Sequence, residues 1–338
     1  MKAAVIFGGT GFIGSFFARY LLEDCSYDKV YLFDHESVSS KPFSYRKEML
    51  SELVGLEEVA GDVRRPIDWF PEEQVELIAN FAAVHREPGH EDYEYYETNV
   101  LGAENVCAWA ERVGCNKLIF TSSIAPYGPS ESPKDEGALP VPVSAYGGSK
   151  LVAEQIHQKW LASDENNRHL VIVRPGVVFG PGEGGNVSRL IKAVLNRYFF
   201  YMGNRDTRKA GTYVKELCAA MCWVLDKQIA EGKHFSLFNM SMNPGPSIED
   251  YVAAVASVAG KKVWVPSVPY SLLLVIAYGI DAFARPLGIN HPFSPVRIRK
   301  LVRSNNIEPR FLVENGYPYR YSLESAFADW RKECPEEW

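Results

Sequence analysis

No block of lysine or arginine occurs anywhere in the chain, whose net charge is −6. Binding nucleic acid requires a concentrated basic face that neutralises phosphates, so that class is not expected. Cysteine is sparse and scattered (Cys25, Cys107, Cys115, Cys218, Cys222, Cys334), with no C-x-x-C and no histidine at ligand spacing. Neither a metal site nor a disulfide framework is implied; Cys218 and Cys222 share a helix face but read as core fillers. There is no internal repeat and no apolar run long enough to span a bilayer, which needs about 20 residues. The N-terminal apolar run passes straight into a glycine turn without a cleavage site, so no signal peptide is expected and a cytoplasmic location is.

What is present begins with Met1–Gly14, MKAAVIFGGTGFIG. Ala3–Phe7 is apolar enough for a strand buried on both faces, and it stops at Gly8. Gly8, Gly11 and Gly14 then form G-x-x-G-x-x-G at a strand-to-helix turn, where missing Cβ atoms let the backbone turn tightly and approach a pyrophosphate. The helix that follows, Phe12 to Leu22, points free N–H groups at those phosphates. A second strand, Lys29–Phe33, ends in Asp34, whose carboxylate can accept both hydroxyls of an adenosine ribose. A 2′-phosphate would meet that negative charge, and neither His35 nor Glu36 offers a fixed positive one, so NAD is favoured over NADP.

With 338 residues, 46% of them hydrophobic, the chain can build one large or two modest domains. Strand Leu56–Ala60 ends in Gly61-Asp62-Val63, where Asp62 is placed either to reach an adenine amino group or to cap a turn. Leu77–Ala83 is another buried strand whose small ends, Ala82 and Ala83, leave room for a cofactor across the sheet edge. A helix over Tyr93–Val113, a strand Lys117–Thr121, a helix from about Tyr146 and a strand Leu170–Arg174 continue the alternation. The pattern predicts an α/β protein with a Rossmann-type, doubly wound parallel sheet and a smaller, discontinuous C-terminal substrate lobe. The expected division is 1–180 with a returning segment near 209–242, including a strand Phe235–Met240, against 181–208 and 243–338.

Tyr146 and Lys150 stand in Y-G-G-S-K, one helical turn apart on one face. A free phenol has a pKa of about 10, too high for a base at neutral pH, and a nearby ammonium is the simplest way to lower it. Ser123, at the tip of the preceding strand, can bind the same substrate oxygen. Base, charge partner and hydroxyl together suit proton removal from an alcohol coupled to hydride transfer.

In this order of motifs the chain resembles the extended short-chain dehydrogenase/reductase family of NAD-dependent nucleotide-sugar epimerases and dehydratases. Thr121-Ser122-Ser123, Tyr127-Gly128, Tyr146–Lys150, Arg174-Pro175-Gly176 and Tyr213-Val214 carry the resemblance. Family dehydratases place an Asp-Glu pair after the serine, decarboxylases a Glu and epimerising reductases a Cys. Here Ile124-Ala125 stand there, leaving reversible alcohol oxidation. Within the family the chain resembles 4-epimerases that interconvert N-acetylglucosamine and N-acetylgalactosamine, including those acting on a polyprenyl-diphosphate-linked sugar in surface-polysaccharide (O-antigen) assembly. Ala82–Arg86, Gly185-Asn186-Val187, Lys209 with Tyr213-Val214, and Ser294–Arg297 are the supporting segments.

The resemblance implies Ser123, Tyr146 and Lys150 as catalytic residues and bound NAD as cofactor. Gly8, Gly11, Phe12, Ile13, Gly14, Asp34, Asp62, Val63, Ala82, Ala83, Asn99, Tyr146, Lys150 and Pro175 would line it. Ser122, Ser123, Asn186, Lys209 and Arg297 would hold a sugar on a diphosphate carrier, UDP or polyprenyl diphosphate. Asn186 also reads as a turn residue, and Lys209 and Arg297 as solvated charges; Lys209 replaces the arginine of many relatives, losing its bidentate fork. His85 and Arg86 suit sugar or phosphate, or a loop ion pair with Glu87. The helices at Tyr93–Val113 and Tyr146–Trp160 would form a homodimer bundle. Ser271–Ile280, SLLLVIAYGI, flanked by Tyr270, Phe283 and Arg285, reads as a core helix, a subunit contact or a lipid-facing surface over 270–285 at the inner face of the membrane. Rival functions are a 4-keto-sugar reductase and a non-catalytic dinucleotide sensor.

Overall fold

Unbroken apolar stretches at Ala3–Phe7 and Leu170–Val173 are buried throughout, as strands covered on both faces require. The computed structural model describes residues 1–40, 42–87, 89–284 and 303–338. Its first half runs β1 (Ala3–Phe7), α1 (Phe12–Glu23), β2 (Lys29–Asp34), α2 (Ser44–Ser51), β3 (Leu56–Ala60), β4 (Val75–Asn80), α3 (Asp92–Arg112), β5 (Lys117–Thr121), β6 (Ser130–Lys134) and α4 (Ala145–Ala162). Then follow β7 (His169–Pro175), β8 (Val177–Phe179), α5 (Asn186–Leu195), β9 (Tyr201–Met202), β10 (Gly211–Tyr213), α6 (Val214–Ala230) and β11 (Phe235–Met240). The last third holds α7 (Ile248–Ala259), β12 (Ser267–Val268), α8 (Tyr270–Ala284), β13 (Asn305–Ile307) and the helices Arg310–Glu314 and Leu323–Glu333.

Seven strands form a Rossmann-type parallel sheet in the order β11-β7-β5-β4-β1-β2-β3. Alternate residues face opposite sides: Ile6 and Leu32 join the apolar cluster with Phe17, Leu217 and Phe238, while Val5 and Phe7 join the one with Trp109, Leu118 and Trp160. Trp109 is fully buried, edge-on to Phe7 and stacked on Trp69. Strand order reverses between β1 and β4, and ligands of open α/β sheets bind outside the strand ends at such a switch point.

The expected strand Leu77–Ala83 ends earlier, at Asn80. The Asn99 side chain, on α3, takes both backbone groups of Val84 (N to Oδ1 3.0 Å, Nδ2 to O 3.2 Å), so Phe81–Arg86 leave the sheet as a loop over its edge. β11 does return to the main sheet, pairing with β7 from Phe235↔Leu170 to Met240↔Pro175. Small two-stranded pairings, β8 with β10, β9 with β12 and β6 with β13, carry the remaining strands. Helix α8 buries Leu273 and Ala277 against Phe200, Met202 and Val268, and exposes Leu272, Val275, Ile276 and Tyr278. Arg285 lies outside the described residues. Among the described residues, no helix is long and apolar enough to cross a membrane and no group of His, Cys, Asp and Glu is arranged to hold a metal.

Candidate active site

The glycine turn sits at the switch point. Gly8 has φ +75°, and a Cβ there would lie 2.6 Å from the Ala82 amide nitrogen; one on Gly14 would lie 2.5 Å from the Gly8 carbonyl oxygen. Only glycine lets the turn, the 81–86 loop and α1 close together this tightly. Gly11 is the N-cap of α1; no side chain caps the helix, and its first turn has no acidic residue. With four orphan N–H groups at a helix start, this end is ready for an anion. Asp34 ends β2 with Oδ2 accepting from Thr10 N at 3.2 Å and Oδ1 3.1 Å from His35 Nδ1. An uncapped helix start beside a mostly buried carboxylate fits a dinucleotide's pyrophosphate and adenosine ribose. Gly8, Gly11, Phe12, Ile13, Gly14 and Asp34 would hold them.

The flanking residues divide. Asp62 grips Arg64 in a two-pronged ion pair (2.7–3.0 Å) and accepts from its backbone N–H, so it serves a turn, and Arg64 holds its carboxyl below the usual range. Val63 is buried with its carbonyl bound by Asn105. Ala82 abuts the turn and Ala83 follows on the same loop. Asn99 is buried and spends its amide on Val84 and on Ser149 Oγ (2.9 Å), which makes it a strut between the 81–86 loop and α4. Pro175 ends β7, its carbonyl accepting from Ile124 N beside Ser123.

Helix α4 starts at Ser144, whose hydroxyl accepts from Gly147 N, and thereby presents Tyr146 in its first turn. The Ser123 hydroxyl faces the Tyr146 phenol and favours its ionised form. Burial pushes that phenol up to about 12, with Glu87 and Tyr95 adding to the rise and Ser123 opposing it. Lys150 is on the same helix face, but its Nζ donates to the Thr121 carbonyl (2.8 Å) and stands 4.8 Å from the Phe120 ring centre. The expected lowering of the phenol by Lys150 is therefore not found: the amine turns inward to the strand tip. Burial drives its own pKa down to about 7, against the pull of Glu154.

Ser122 corrects another expectation. Its hydroxyl points inward and donates to Glu154, while Ser123 faces Tyr146. Neighbours on an extended tip point opposite ways, so only one can face a substrate. Glu154 is buried and accepts two bonds from Arg174 (2.8 and 2.6 Å), which lies over the Tyr127 ring, itself bonded to Asn239. Glu154 was missed from sequence, although it stands four residues past Lys150 on the same face. His157, a turn further, donates to Ala153 O; burial pushes it down to about 4, so it is neutral.

The substrate-side residues are spread out. His85 and Arg86 are exposed on the 81–86 loop, the Arg86 carbonyl accepting from Tyr95 Oη. Asn186 is exposed and bonds Arg189. The α5 start is already taken: Glu183 Oε2 accepts from Ser188 N (2.9 Å) and Oγ (2.7 Å), putting a carboxylate where a diphosphate was expected. Lys209 donates to the Arg303 carbonyl, with Glu131 nearby. Arg297 and Ser294–Val296 lie outside the described residues. An open cleft of 660 Å³ across the α3 and α4 starts is walled by Glu87, Asp92 and Tyr96, and its acidic rim ill suits a diphosphate.

A parallel sheet with an uncapped glycine turn at its switch point, beside a serine–tyrosine pair and a buried lysine, defines a dinucleotide-dependent enzyme acting on an alcohol or ketone. Residues 4–238 match the NAD dependent epimerase/dehydratase family, and the chain belongs to it; NAD is that family's cofactor. It is 30% identical over 248 residues, 73% of this chain and 74% of the other, to the N-acetyl-α-D-glucosaminyl-diphospho-ditrans,octacis-undecaprenol 4-epimerase of Escherichia coli O157:H7. It is 26% identical to the UDP-glucose 4-epimerase of Bacillus subtilis strain 168, across 77% of this chain and 83% of that one. The UDP-Glc/GlcNAc 4-epimerase of Campylobacter jejuni shares the fold: TM-score 0.72 at 19% identity, covering 99% of this chain and 100% of that one.

Proposed function

We propose that the protein is a 4-epimerase interconverting N-acetylglucosamine and N-acetylgalactosamine on a diphosphate carrier, polyprenyl diphosphate or UDP. The observation that carries this reading is the Ser123 hydroxyl facing the Tyr146 phenol, in a fold whose glycine turn starts its helix uncapped. When bound, NAD supplies an acceptor that takes a hydride from the sugar's C4 and returns it to the other face. Ser123 orients the sugar 4-hydroxyl, and Tyr146 accepts its proton as the phenolate, a form that burial alone disfavours and that the positive charge of bound NAD would favour. Lys150, partly protonated at neutral pH with a pKa near 7, adds positive charge on the same helix face when it is protonated. Ile124-Ala125 offer no side chain for a second proton transfer, which favours plain oxidation and reduction over dehydration.

Lys209 and Arg297 hold the diphosphate, with His85 and Arg86 at the sugar; Asn186 and the α5 start are disfavoured by Glu183. Residues 1–180 with 209–242 carry the cofactor, the rest grips the sugar, and pairs of chains join through α3 and α4. For a polyprenyl carrier, the exposed side of α8 meets the lipid surface, so the protein works from the cytoplasmic side.

The purified chain is incubated, with no added NAD(P)H, with UDP-N-acetylglucosamine and, in phospholipid vesicles, with its polyprenyl-diphosphate counterpart. C4 configuration is read by NMR. Epimerisation of either without external reductant is expected, and Tyr146→Phe lowers its rate roughly 10²–10⁴-fold. Oxidation of the 4-hydroxyl that consumes added NAD(P)+ stoichiometrically and forms no epimer makes the protein a 4-keto-sugar reductase running in reverse, and dinucleotide binding without turnover of either sugar makes it a sensor.

A further inference from the structure

Arg46, on α2, is only 5% exposed, yet among the described residues it makes no ion pair. Its Nη1 donates to the Thr10 carbonyl at 3.3 Å, and its Nε, fully buried, has no hydrogen-bond partner at all. The guanidinium carbon lies 4.3 Å from the centre of the Phe43 ring and 6.0 Å from that of Phe12, the first residue of α1. On the other side a Cβ on Gly182 would come within 3.2 Å of Arg46 Cγ, so glycine there leaves the arginine its place. Burial pushes its pKa down, to about 10, and only the more distant Glu337 works against that.

Burying a charge without a counter-ion costs several kcal/mol, so such groups persist where a ligand supplies the opposite charge. Thr10 and Phe12 belong to the glycine turn, and the α1 start has no cap. We infer that Arg46 is a binding residue for the pyrophosphate of the family's dinucleotide, closing over the anion opposite the N–H groups of Phe12 and Ile13. A 2′-phosphate is the less suitable anion, because Asp34 holds its carboxylate on the other side of Thr10, 3.2 Å from that residue's N–H. The inference rests on the dinucleotide occupying this turn, and it adds a side chain to what had been a backbone site.

The full chain and its Arg46→Met and Arg46→Lys variants are titrated with NAD, ADP-ribose, adenosine and NADP by calorimetry, and melted without nucleotide. Charge-assisted hydrogen bonds of this kind change affinity by roughly 10- to 100-fold. Arg46→Met should weaken NAD and ADP-ribose by the same factor in that range and leave adenosine unchanged. Arg46→Lys should fall between. Without nucleotide, Arg46→Met should melt at or above the parent temperature, since an unpaired buried charge has been removed. Unchanged NAD affinity in Arg46→Met overturns the assignment, as does a loss confined to NADP. So does a lower melting temperature with NAD and adenosine weakened alike, which marks a packing residue. A parent chain that binds no dinucleotide would instead sink the cofactor reading itself.

Discussion

The chain contains two glycine-rich turns from strand to helix, and they are electrostatic opposites. At Gly8–Gly14, α1 starts without a side-chain cap or an acid in its first turn, and Arg46 stands over it unpaired. At Gly180–Gly185, α5 starts with the Glu183 carboxylate on Ser188 N and Oγ. Both look alike in the sequence. One leaves its helix dipole and a buried cation for a ligand, whereas the other neutralises itself. A glycine turn therefore announces an anion site only when nothing of the protein's own already fills it.

The largest effect separating the two is steric. Gly8→Ala would force a Cβ against Ala82 backbone at a residue with φ +75°, so dinucleotide binding should be lost, at least about 100-fold by fluorescence titration with NADH. Gly184→Ala, at φ +59°, meets only the Phe43 ring; the chain should be destabilised, while dinucleotide affinity falls far less than in Gly8→Ala, because the disturbance reaches the cofactor only through Phe43 and Arg46. Equal losses in both would erase the distinction.

The next effect is electrostatic. Lys150, beside the open turn, has a pKa near 7 against a normal value of about 10.4. Between those values the unfolded chain carries a proton that the folded chain lacks, so this group makes stability rise with pH, by up to about 1.4 kcal/mol per unit. Below pH 7 both states are protonated, and the burial penalty is constant. Lys150→Met should flatten the slope of denaturant stability over that window by one proton; an unchanged slope would show that the amine is not titrating near neutrality.

The smallest effect tests the closed turn. Glu183→Gln removes the charge but keeps an acceptor, so about 1 kcal/mol or less of stability should be lost, with KM for the diphosphate-linked sugar unchanged. A clear fall in KM would mean that the α5 start does compete for the substrate's phosphates.

The sheet and the first turn were legible because strand burial and missing Cβ atoms are local facts: Ala3–Phe7, Gly8 and Asp34 fall where their pattern puts them. Tyr146, Lys150 and Ser123 were legible as a spacing, yet not the direction of the lysine, which depends on the Thr121 carbonyl and a buried Glu154–Arg174 pair. Ser122 and Ser123 are indistinguishable until the strand tip assigns each a side. Glu183 and Arg46 were illegible for different reasons: Glu183 acts within its own turn, on Ser188, a contact that a glycine-rich pattern does not announce, whereas Arg46 takes its meaning from the distant turn at Thr10 and from what it lacks.

The most direct measurement is a crystal structure of the chain grown with NAD and a UDP-linked N-acetylhexosamine. The dinucleotide's phosphates should lie about 3 Å from the Phe12 and Ile13 nitrogens and the Arg46 guanidinium, with Glu183 still on Ser188. A phosphate seated on the Val187 and Ser188 nitrogens with Glu183 swung away, or Arg46 facing no phosphate, would contradict the account.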